Sequence, residues 1–530
     1  MSSTTTATAP DPGIRTDHAS ADDRRRWWTL AVLCLSLLIT VLDTTVVNVA
    51  LPTLSRELHA SSSGLEWIVD SYTLLFAGLL LLGGAIGDRY GRHLTLPAGL
   101  VVFAAGSVAA AVSSSAAELI AARAVMGAGA AFVMPATLSI LSGVFPNPAE
   151  RAKAIGIWSA VSGLGIAVGP TLGGILLEHF AWSSIFLINL PVVAIALIAG
   201  RRLVPASRAP RPPRLDLRGA ALSVAGLGVL TYTLIQAPDN GWTSSTTIAT
   251  GAASLILLAA FALVQLRAAE PMVELRLFRN RRFAGACAGV MALFFALTGA
   301  TFLLTQAYQF VLGLSPLQAG LRALPPALMV AVVSPLGARL AQKTGPRTPI
   351  GAGLALATAG LIVYASATAG SGYLHYMAAM SVIGTGIGLA MAPATQSIMS
   401  ALPPAKAGVG SAINDTTRNL GSVLGIAVIG SIVTSAYETA LAPARIGAGI
   451  PQAVRQSVGA ATQIADRLPK PLGHELATVA HHAFVHAADR GVLVAAGVTI
   501  AGAIIAVRTV PGPARAAEPT PAQQAAPARA

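Results

Sequence analysis

The chain has 530 residues, of which 54% are hydrophobic and only 11% are charged. Soluble domains are about 25% charged, so this composition excludes a soluble globular protein. The formal net charge is +13, but the basic residues lie in short clusters between apolar runs and lack interleaved aromatic residues, which excludes a nucleic-acid surface.

Residues 1–27 are predicted to form a disordered tail that is rich in Ser, Thr, Ala and Pro, and the apolar run that follows is too long for a signal peptide. The remaining chain is a series of apolar runs long enough to cross a bilayer as helices. They predict an all-α integral membrane protein with fourteen spans, at roughly 28–51, 67–87, 94–112, 118–141, 155–177, 182–200, 216–236, 247–267, 284–310, 319–341, 350–369, 373–400, 407–435 and 491–507.

The first span contains one acidic residue, Asp43, about two-thirds of the way across. A charge at that depth costs roughly 3 kcal/mol or more, so the carboxylate must face a cavity or a partner helix, or hold a proton. Burial disfavours the charged form of a carboxylate, which suits a proton carrier. Two interpretations remain open: a proton or cation site, and a buried acid that only ties helices together.

The loop after the second span reads GGAIGDRYGRH, residues 83–93. Its glycines permit a tight turn at the membrane surface, and its acid and second arginine are four residues apart. The carboxylate could accept hydrogen bonds from a neighbouring helix N-terminus, and the arginines could bind carboxylates or lipid phosphates. The residues concerned are Gly84, Gly87, Asp88, Arg89, Gly91 and Arg92.

The fourth span contains a buried arginine, Arg123, within the stretch LIAARAVMGAGAA. Because an arginine side chain stays charged, it needs an acid or backbone carbonyl groups as partners. Gly127 and Ala130 lie one and two turns further along the same face and leave room for the guanidinium group. A purely structural role for Arg123 remains an alternative.

The fifth span contains the stretch GLGIAVGPTLGG, in which glycines recur along one helix face and a proline adds a bend. Such a face predicts close packing against another helix. The residues are Gly165, Gly169, Pro170, Gly173 and Gly174.

These stretches resemble signatures of a known family. Residues 84–92 are similar to the loop 2–3 signature of the major facilitator superfamily, in which this loop is a conformational latch on the cytoplasmic side. Residues 42–52 resemble the first-span signature of its fourteen-span drug:proton antiporters (EmrB/QacA type). The stretch around Arg123 resembles the span 4 signature, whose arginine is implicated in proton coupling, and the glycine-rich fifth span resembles the antiporter signature of the exporting branches.

The resemblance weakens towards the C-terminus. Residues 182–191 are similar to the start of span 6, but Ser183 stands where family members often carry a basic residue. Residues 334–347 are a degenerate copy of the loop signature without its aspartate. Within the span 13 resemblance, Asp415 and Arg418 are three residues apart and could either pair with each other or contact a substrate.

The resemblance implies a major facilitator fold: two six-helix bundles plus two extra spans, 14 transmembrane helices in all. Most of the 35 Lys and Arg residues fall on one side of the predicted topology, which puts both termini in the cytoplasm. The predicted units are a cytoplasmic disordered tail (1–27), an N-terminal bundle (28–200), a basic linker (201–215), an extra helix pair (216–267), a C-terminal bundle (268–507) with an extracellular loop (436–490), and a second cytoplasmic disordered tail (508–530).

The function that follows from the resemblance is proton-driven export of amphipathic, often cationic compounds across the bacterial plasma (inner) membrane by alternating access. Protons and a small-molecule substrate are the expected partners within the lipid bilayer, and no enzymatic activity, cofactor, metal or nucleic acid is expected. No GK dipeptide occurs in the chain, so a Walker A lysine is absent and an ion gradient is the expected energy source.

Roles are assigned as follows. Asp43 and Arg123 are expected to carry proton coupling, and the loop 83–93 to act as the latch. The polar residues expected to line the substrate cavity are Asn48, Asp70, Gln306, Gln309, Gln396, Asp415 and Arg418. Two alternatives stay open: export of one specific metabolite or self-made antibiotic, and a membrane sensor that does not transport.

Overall fold

The computed structural model describes residues 14–206, 215–269, 271–400, 407–441 and 452–511, and within these ranges it consists of helices and connecting turns. The helices are α1 (Ile14–Glu57), α2 (Ser62–Tyr90), α3 (Arg92–Ala111), α4 (Ala116–Val144), α5 (Pro148–His179), α6 (Ser184–Leu187), α7 (Asn189–Leu203), α8 (Leu217–Asn240), α9 (Ser245–Arg267), α10 (Arg281–Gln306), α11 (Pro316–Arg322), α12 (Leu324–Thr344), α13 (Arg347–Tyr364), α14 (Tyr373–Ser400), α15 (Ala407–Leu441), α16 (Gln452–Gln456), α17 (Val458–Ala465) and α18 (Lys470–Thr509). A short 3₁₀ helix (Leu275–Arg279) precedes α10, and a π-helical turn (Ala307–Val311) follows it.

Thirteen segments of the described chain are helical, long and apolar enough to cross a membrane. Among these segments, α6 joins α7, α10 joins the π-helical turn, and α11 joins α12. The helix α5, 32 residues long, occupies the position of the fifth predicted span. The all-α, multi-span architecture expected from the apolar runs is therefore confirmed.

The helices pack in two groups linked by a pair. In the N-terminal group, α4 packs against α2 and α3, and α1 packs against α5 and α7. In the C-terminal group, α14 packs against α12 and α13, while α10, α15 and α18 pack against one another. The helices α8 and α9 pack together, and α8 contacts both α2 and α15, so the pair stands beside both groups.

Glycines allow several of these helices to touch backbone to backbone. A Cβ atom added at Gly127 of α4 would overlap the carbonyl group of Tyr72 on α2. In the C-terminal group, Gly353 of α13 and Gly386 of α14 face each other in the same way, each against the other's carbonyl oxygen. Close backbone approach of this kind is typical of helix packing within membranes, where small residues occupy the interfaces.

The two groups also contact each other directly. We call the end of the molecule that holds the turn between α1 and α2 the α1–α2 end, and the end at Gly91 the α2–α3 end. At the α1–α2 end, Gly174 of α5 lies against the backbone of Leu317 on α11. Nearby, the Nε2 atom of Gln309 donates a hydrogen bond of 2.8 Å to the carbonyl oxygen of Val49. Both contacts hold the two groups together at this end.

The helix bounds differ from the predicted ones at two places. The helix α1 begins at Ile14, inside the segment predicted to be a disordered tail, because a helix already nucleated by the apolar run gains one backbone hydrogen bond for each residue added. The predicted loop 436–490 is largely helical in its described residues, 436–441 and 452–490: α15 continues to Leu441, α16 and α17 follow, and α18 begins at Lys470. Buried residues such as Leu476 and Phe484 pack the first half of α18 into the molecule, which the charges and histidines of that stretch concealed.

Candidate proton-coupling site

The centre of the N-terminal group holds an ion pair. Asp43 on α1 and Arg123 on α4 are 2% and 1% exposed, and the Nη1 atom of Arg123 donates a hydrogen bond to Oδ2 of Asp43. The Nε atom of Arg123 donates a second bond of 3.1 Å to the carbonyl oxygen of Ile68 on α2. The arginine thus has both kinds of partner that the sequence required, an acid and a backbone carbonyl.

An aromatic ring covers the guanidinium group of Arg123. Its Cζ atom lies 4.4 Å from the ring centroid of Tyr72 on α2, within the range of a cation–π interaction. The hydroxyl group of Tyr72 donates a hydrogen bond of 3.2 Å to the carbonyl oxygen of Thr40 on α1. Gly127 makes this arrangement possible, because any side chain there would push α4 away from the backbone of Tyr72.

The second oxygen of Asp43 meets an amide. The Nδ2 atom of Asn189, at the start of α7, lies 3.4 Å from Oδ1 of Asp43 and donates a shorter bond of 2.8 Å to Oγ of Ser107 on α3. The hydroxyl group of Ser107 in turn donates to the carbonyl oxygen of Phe186. Asn189 was not among the predicted site residues, although it stands inside the span 6 resemblance at residues 182–191.

The latch residues lie where α2 meets α3. Gly91 alone separates the two helices and has a φ of +115°, a conformation that favours glycine. The predicted i, i+4 pair is formed, with 2.8 Å between Nη2 of Arg92 and Oδ1 of Asp88. The Nη1 atom of Arg92 also donates to the carbonyl oxygen of Ser139, so the pair joins α2 and α3 to α4. Arg89 is exposed and lies beside the ring of Tyr90.

Of the two adjacent glycines Gly83 and Gly84 in α2, only the first is needed for close packing against α4. A Cβ atom at Gly84 would be 3.5 Å from Cβ of Pro135, which is an ordinary contact. At the preceding Gly83, a Cβ atom would overlap the carbonyl oxygen of Ala131 on α4. Two adjacent glycines in the sequence therefore differ in their structural importance.

The fifth-span glycines pack α5 against α1. A Cβ atom at Gly169 would overlap Oγ1 of Thr45, and the atoms at the other two positions would press against Val41 and Val46. The close packing predicted for this face is confirmed. The glycines that face α1 are Gly165, Gly169 and Gly173.

The remaining two residues of the motif point the other way. Gly174 contacts the backbone of Leu317, and the carbonyl oxygen of Pro170 lies where a Cβ atom of Gly320 would be. Gly320 and Leu317 both belong to α11 in the C-terminal group. One glycine-rich helix therefore serves both the packing within its own group and the contact between the groups.

The predicted cavity residues lie in several places rather than one. Gln309 binds the backbone of Val49, whereas the Nδ2 atom of Asn48 donates to the carbonyl oxygen of Thr44 on its own helix. Gln306 is buried and lines a small cavity between the two groups. Gln396 is exposed.

Asp415 and Arg418 form the pair that their spacing allowed. Their closest N–O distance is 3.7 Å, and the guanidinium Cζ atom of Arg418 lies 4.6 Å from the ring centroid of Phe294 on α10. The pair is far from the cavity at Gln306, because α15 reaches that cavity only at Gly430, twelve residues or about 18 Å further along the helix.

Asp70 lies one helical turn from a second buried acid, Glu66, which was not among the predicted site residues. Both Asp70 and Glu66, one turn earlier on α2, are buried, with exposed fractions of 0% and 1%. Neither oxygen of Asp70 has a hydrogen-bond partner among the described residues, and the same holds for Oε2 of Glu66. The signal was available, since two acids at i, i+4 spacing next to an apolar run are unusual; the predicted span simply began one residue too late.

The sequence of this chain matches the family model of the Major Facilitator Superfamily over residues 33–426. The chain belongs to the major facilitator superfamily. This facilitator is 36% identical over 436 residues to the Multidrug resistance protein Stp of Mycobacterium tuberculosis, which covers 82% of this chain and 81% of that protein. It is 35% identical over 465 residues to the Methyl viologen resistance protein SmvA of Salmonella typhimurium, which covers 87% and 93%.

A solved structure supports the fold of this facilitator. The crystal structure of a bacterial homolog to the human lysosomal transporter Spinster, in an inward-facing and occupied conformation, superimposes with a TM-score of 0.64 at 16% identity and covers 91% of this chain and 96% of that chain. At that identity the likeness concerns the fold alone. The major facilitator fold implied by the sequence motifs is thus confirmed.

Proposed function

We propose that this protein is a proton-coupled antiporter that exports amphipathic, often cationic compounds across the bacterial plasma membrane by alternating access. The observation that carries the proposal is the buried ion pair of Asp43 and Arg123, which lies inside the membrane-spanning part of the N-terminal group. The names of the relatives, which refer to multidrug and methyl viologen resistance, support export of small molecules.

The proposed proton carrier is Asp43. When a proton neutralises this carboxylate, Arg123 keeps its charge but loses the negative charge that balances it, and the carbonyl oxygen of Ile68 and the ring of Tyr72 compensate it only in part. An unpaired buried charge costs several kcal/mol, so protonation favours any rearrangement that gives Arg123 another partner or water. Because Arg123 touches both α1 and α2, such a rearrangement shifts helices that belong to the contact between the two groups.

The proposed orientation places the α1–α2 end outside the cell. Most Lys and Arg residues of the predicted loops fall at the opposite end, which the positive-inside rule assigns to the cytoplasm together with both termini. The contacts of Gly174 with Leu317 and of Gln309 with Val49 then close the outer side. We infer that this state is closed to the outside.

The proposed latch works at the cytoplasmic end. Arg92 binds Asp88 at the end of α2 and the carbonyl oxygen of Ser139 near the end of α4, so one side chain fixes three helix ends. The fixed unit can move as one body when the groups approach or separate. The residues assigned to the latch are Gly84, Asp88, Arg89, Gly91 and Arg92.

The proton gradient is sufficient for this work. A proton-motive force of about 180 mV supplies roughly 4 kcal/mol per proton, which supports about a thousandfold gradient of a neutral solute in a one-for-one exchange.

A second acid, Asp70, is buried on α2, and a cationic substrate could neutralise its charge.

Transport into inverted membrane vesicles tests the proposal. Vesicles that hold the wild-type protein should accumulate ethidium when their lumen is acidified, and a proton uncoupler should abolish the accumulation. Asp43→Asn keeps the shape of the side chain but cannot exchange a proton, so it should remove the gradient-driven component. Glu475→Gln changes an exposed acid on α18 and serves as the matched control. Accumulation at the wild-type rate by Asp43→Asn would refute the assignment of the carrier.

A further inference from the structure

The contact between α2 and α15 contains a carboxyl group. Glu66 of α2 is 1% exposed, and its carboxyl atoms occupy the space that a side chain at Gly430 of α15 would need. The N-terminal group thus inserts an acid against bare backbone of the C-terminal group. This contact lies at the α1–α2 end, twelve residues of α15 beyond Arg418.

The groups that surround Glu66 offer it no positive charge. The acids close enough to act on it are Asp70 of α2 and Asp239 of α8, and Tyr437 of α15 lines the same cavity. Gln306 of α10, Gln456 of α16 and Phe484 of α18 complete the surroundings and carry no charge. Among the described residues, Oε2 of Glu66, both carboxylate oxygens of Asp70 and the Tyr437 hydroxyl group lack hydrogen-bond partners.

The charges that surround Glu66 are opposite in sign to the charge beside Asp43. Both acids are almost fully buried in the same group of helices, but Asp43 has Arg123 as a charged partner and Glu66 has two further acids nearby. A buried carboxylate without a cation is strongly disfavoured, and neighbouring carboxylates disfavour its charge further. The same group in water, with the helices apart, has no such penalty.

We propose that Glu66 is a protonation site of its own, separate from Asp43, and that α2 closes onto α15 at Gly430 only when the Glu66 carboxyl group carries a proton. Separation of the two helices hydrates the carboxyl group and lets the proton leave. The proton is the only ligand required, and no bond to carbon forms or breaks. The inference rests on the proposed function only in naming the α1–α2 end as the outer side.

Polar groups lie between Glu66 and the aqueous side at the same end. The small cavity beside Glu66 reaches Ser62 and Gln456, and the hydroxyl group of Ser62 donates to the carbonyl oxygen of Gln456. The Nε2 atom of Gln456 donates to Asp239 at the end of α8, where the chain is exposed. Polar groups therefore connect the buried carboxyl group to the aqueous side on which the contact opens.

Distances between spin labels test the proposal without any transport. Both native cysteines, Cys34 and Cys287, are buried and are replaced by alanine. Labels are attached at Glu57→Cys on α1 and Leu374→Cys on α14, two exposed positions at the α1–α2 end of different groups. The full-length protein is then measured in nanodiscs between about pH 5 and about pH 8.5. A one-proton switch changes the ratio of separated to closed molecules by up to about tenfold per pH unit.

The wild-type background should show this pH response, and Glu66→Gln should reduce it to less than about twofold, with the closed distance dominant throughout. Glu66→Asp keeps a titratable group and should restore a response. Glu475→Gln changes an exposed acid and should respond like the background. A full response in Glu66→Gln would overturn the proposal, as would a response that Asp70→Asn alone removes.

The result is independent of the transport assay. If Asp43→Asn still accumulates ethidium while Glu66→Gln loses the pH response of the distance, the assignment of Asp43 fails and that of Glu66 stands. If the distance in Glu66→Gln follows pH like the background while Asp43→Asn is inactive, the assignment of Glu66 fails and that of Asp43 stands.

Discussion

Arg123 on α4 donates a hydrogen bond to Asp43 on α1, and the pair is nearly sealed from solvent by the helices that carry it. Removal of one partner from such a pair costs about 3–5 kcal/mol, mainly because the other charge stays buried without compensation. Replacement of one member of the pair should therefore lower the stability by more than the loss of an ordinary hydrogen bond would.

We predict that neutralising both residues restores stability that neutralising one removes. Asp43→Asn leaves Arg123 charged and unpaired, so the melting temperature in detergent should fall. The double variant Asp43→Asn/Arg123→Gln should melt at a higher temperature than Asp43→Asn alone, although neither should transport. A double variant that melts below the wild type by the sum of the two single losses would show that the two residues do not interact.

We predict that the latch residue Asp88 controls access to the α2–α3 end. In Asp88→Ala, Arg92 loses its acid and its hold on α2, while its bond to Ser139 remains. A cysteine at Ile140, a buried position next to Ser139 on α4, should then react several times faster with a maleimide, and efflux should slow. Glu475→Gln changes an exposed acid of α18 that is not part of the latch and should leave the rate unchanged. Equal rates in Asp88→Ala and the parent protein would contradict the latch.

We predict that Gly127→Ala destabilises the protein far more than Gly156→Ala. The added Cβ atom at Gly127 would overlap the backbone of Tyr72, whereas at Gly156 it would meet nothing within 4 Å. Overpacking of this kind costs about 1–3 kcal/mol. It should lower the melting temperature and also weaken coupling, because Tyr72 lies over Arg123. Equal melting temperatures for the two alanine variants would mean that α2 and α4 can separate at no cost.

We predict that Asp70→Asn impairs export of cations more than export of neutral compounds. Asp70 is fully buried and its oxygens have no hydrogen-bond partner among the described residues, so a cation is the ligand that would relieve its charge. Efflux of ethidium and of an uncharged amphiphile should be compared in the same vesicles. An equal loss for both compounds would identify Asp70 as a structural residue, and export restricted to anions would overturn the charge argument.

The local features could be predicted where sequence spacing decides the geometry. The glycine face of α5 lies within one helix, so its position follows from helical periodicity. Asp88 and Arg92 belong to α2 and α3, but only Gly91 separates these helices, so a spacing of four residues still brings the two side chains together. The pairing of Arg123 with Asp43 could be anticipated only in part. The sequence shows that each needs a partner, but it does not specify which helices meet.

What the sequence concealed depends on packing between distant helices. Gly83 and Gly84 are indistinguishable as letters, and only the position of Ala131 on α4 makes the first one necessary. Glu66 lay just outside the predicted span, and its importance comes from Gly430, which is more than three hundred residues away in the chain. The stretch 470–490 is ambiguous in the same way. Its charges suggest an exposed loop, and only the packing shows that its apolar side is buried.

The length of α18 has a practical consequence. Its 40 residues span about 60 Å, twice the roughly 30 Å of the bilayer's hydrocarbon core. Near its start, Gly473 packs against the backbone of Ala465 in α17, so the projecting part is braced. A transporter with few features outside the membrane is hard to align in electron micrographs. A nanobody raised against this braced projection would give the particle a rigid marker for image alignment, attached to the C-terminal group alone.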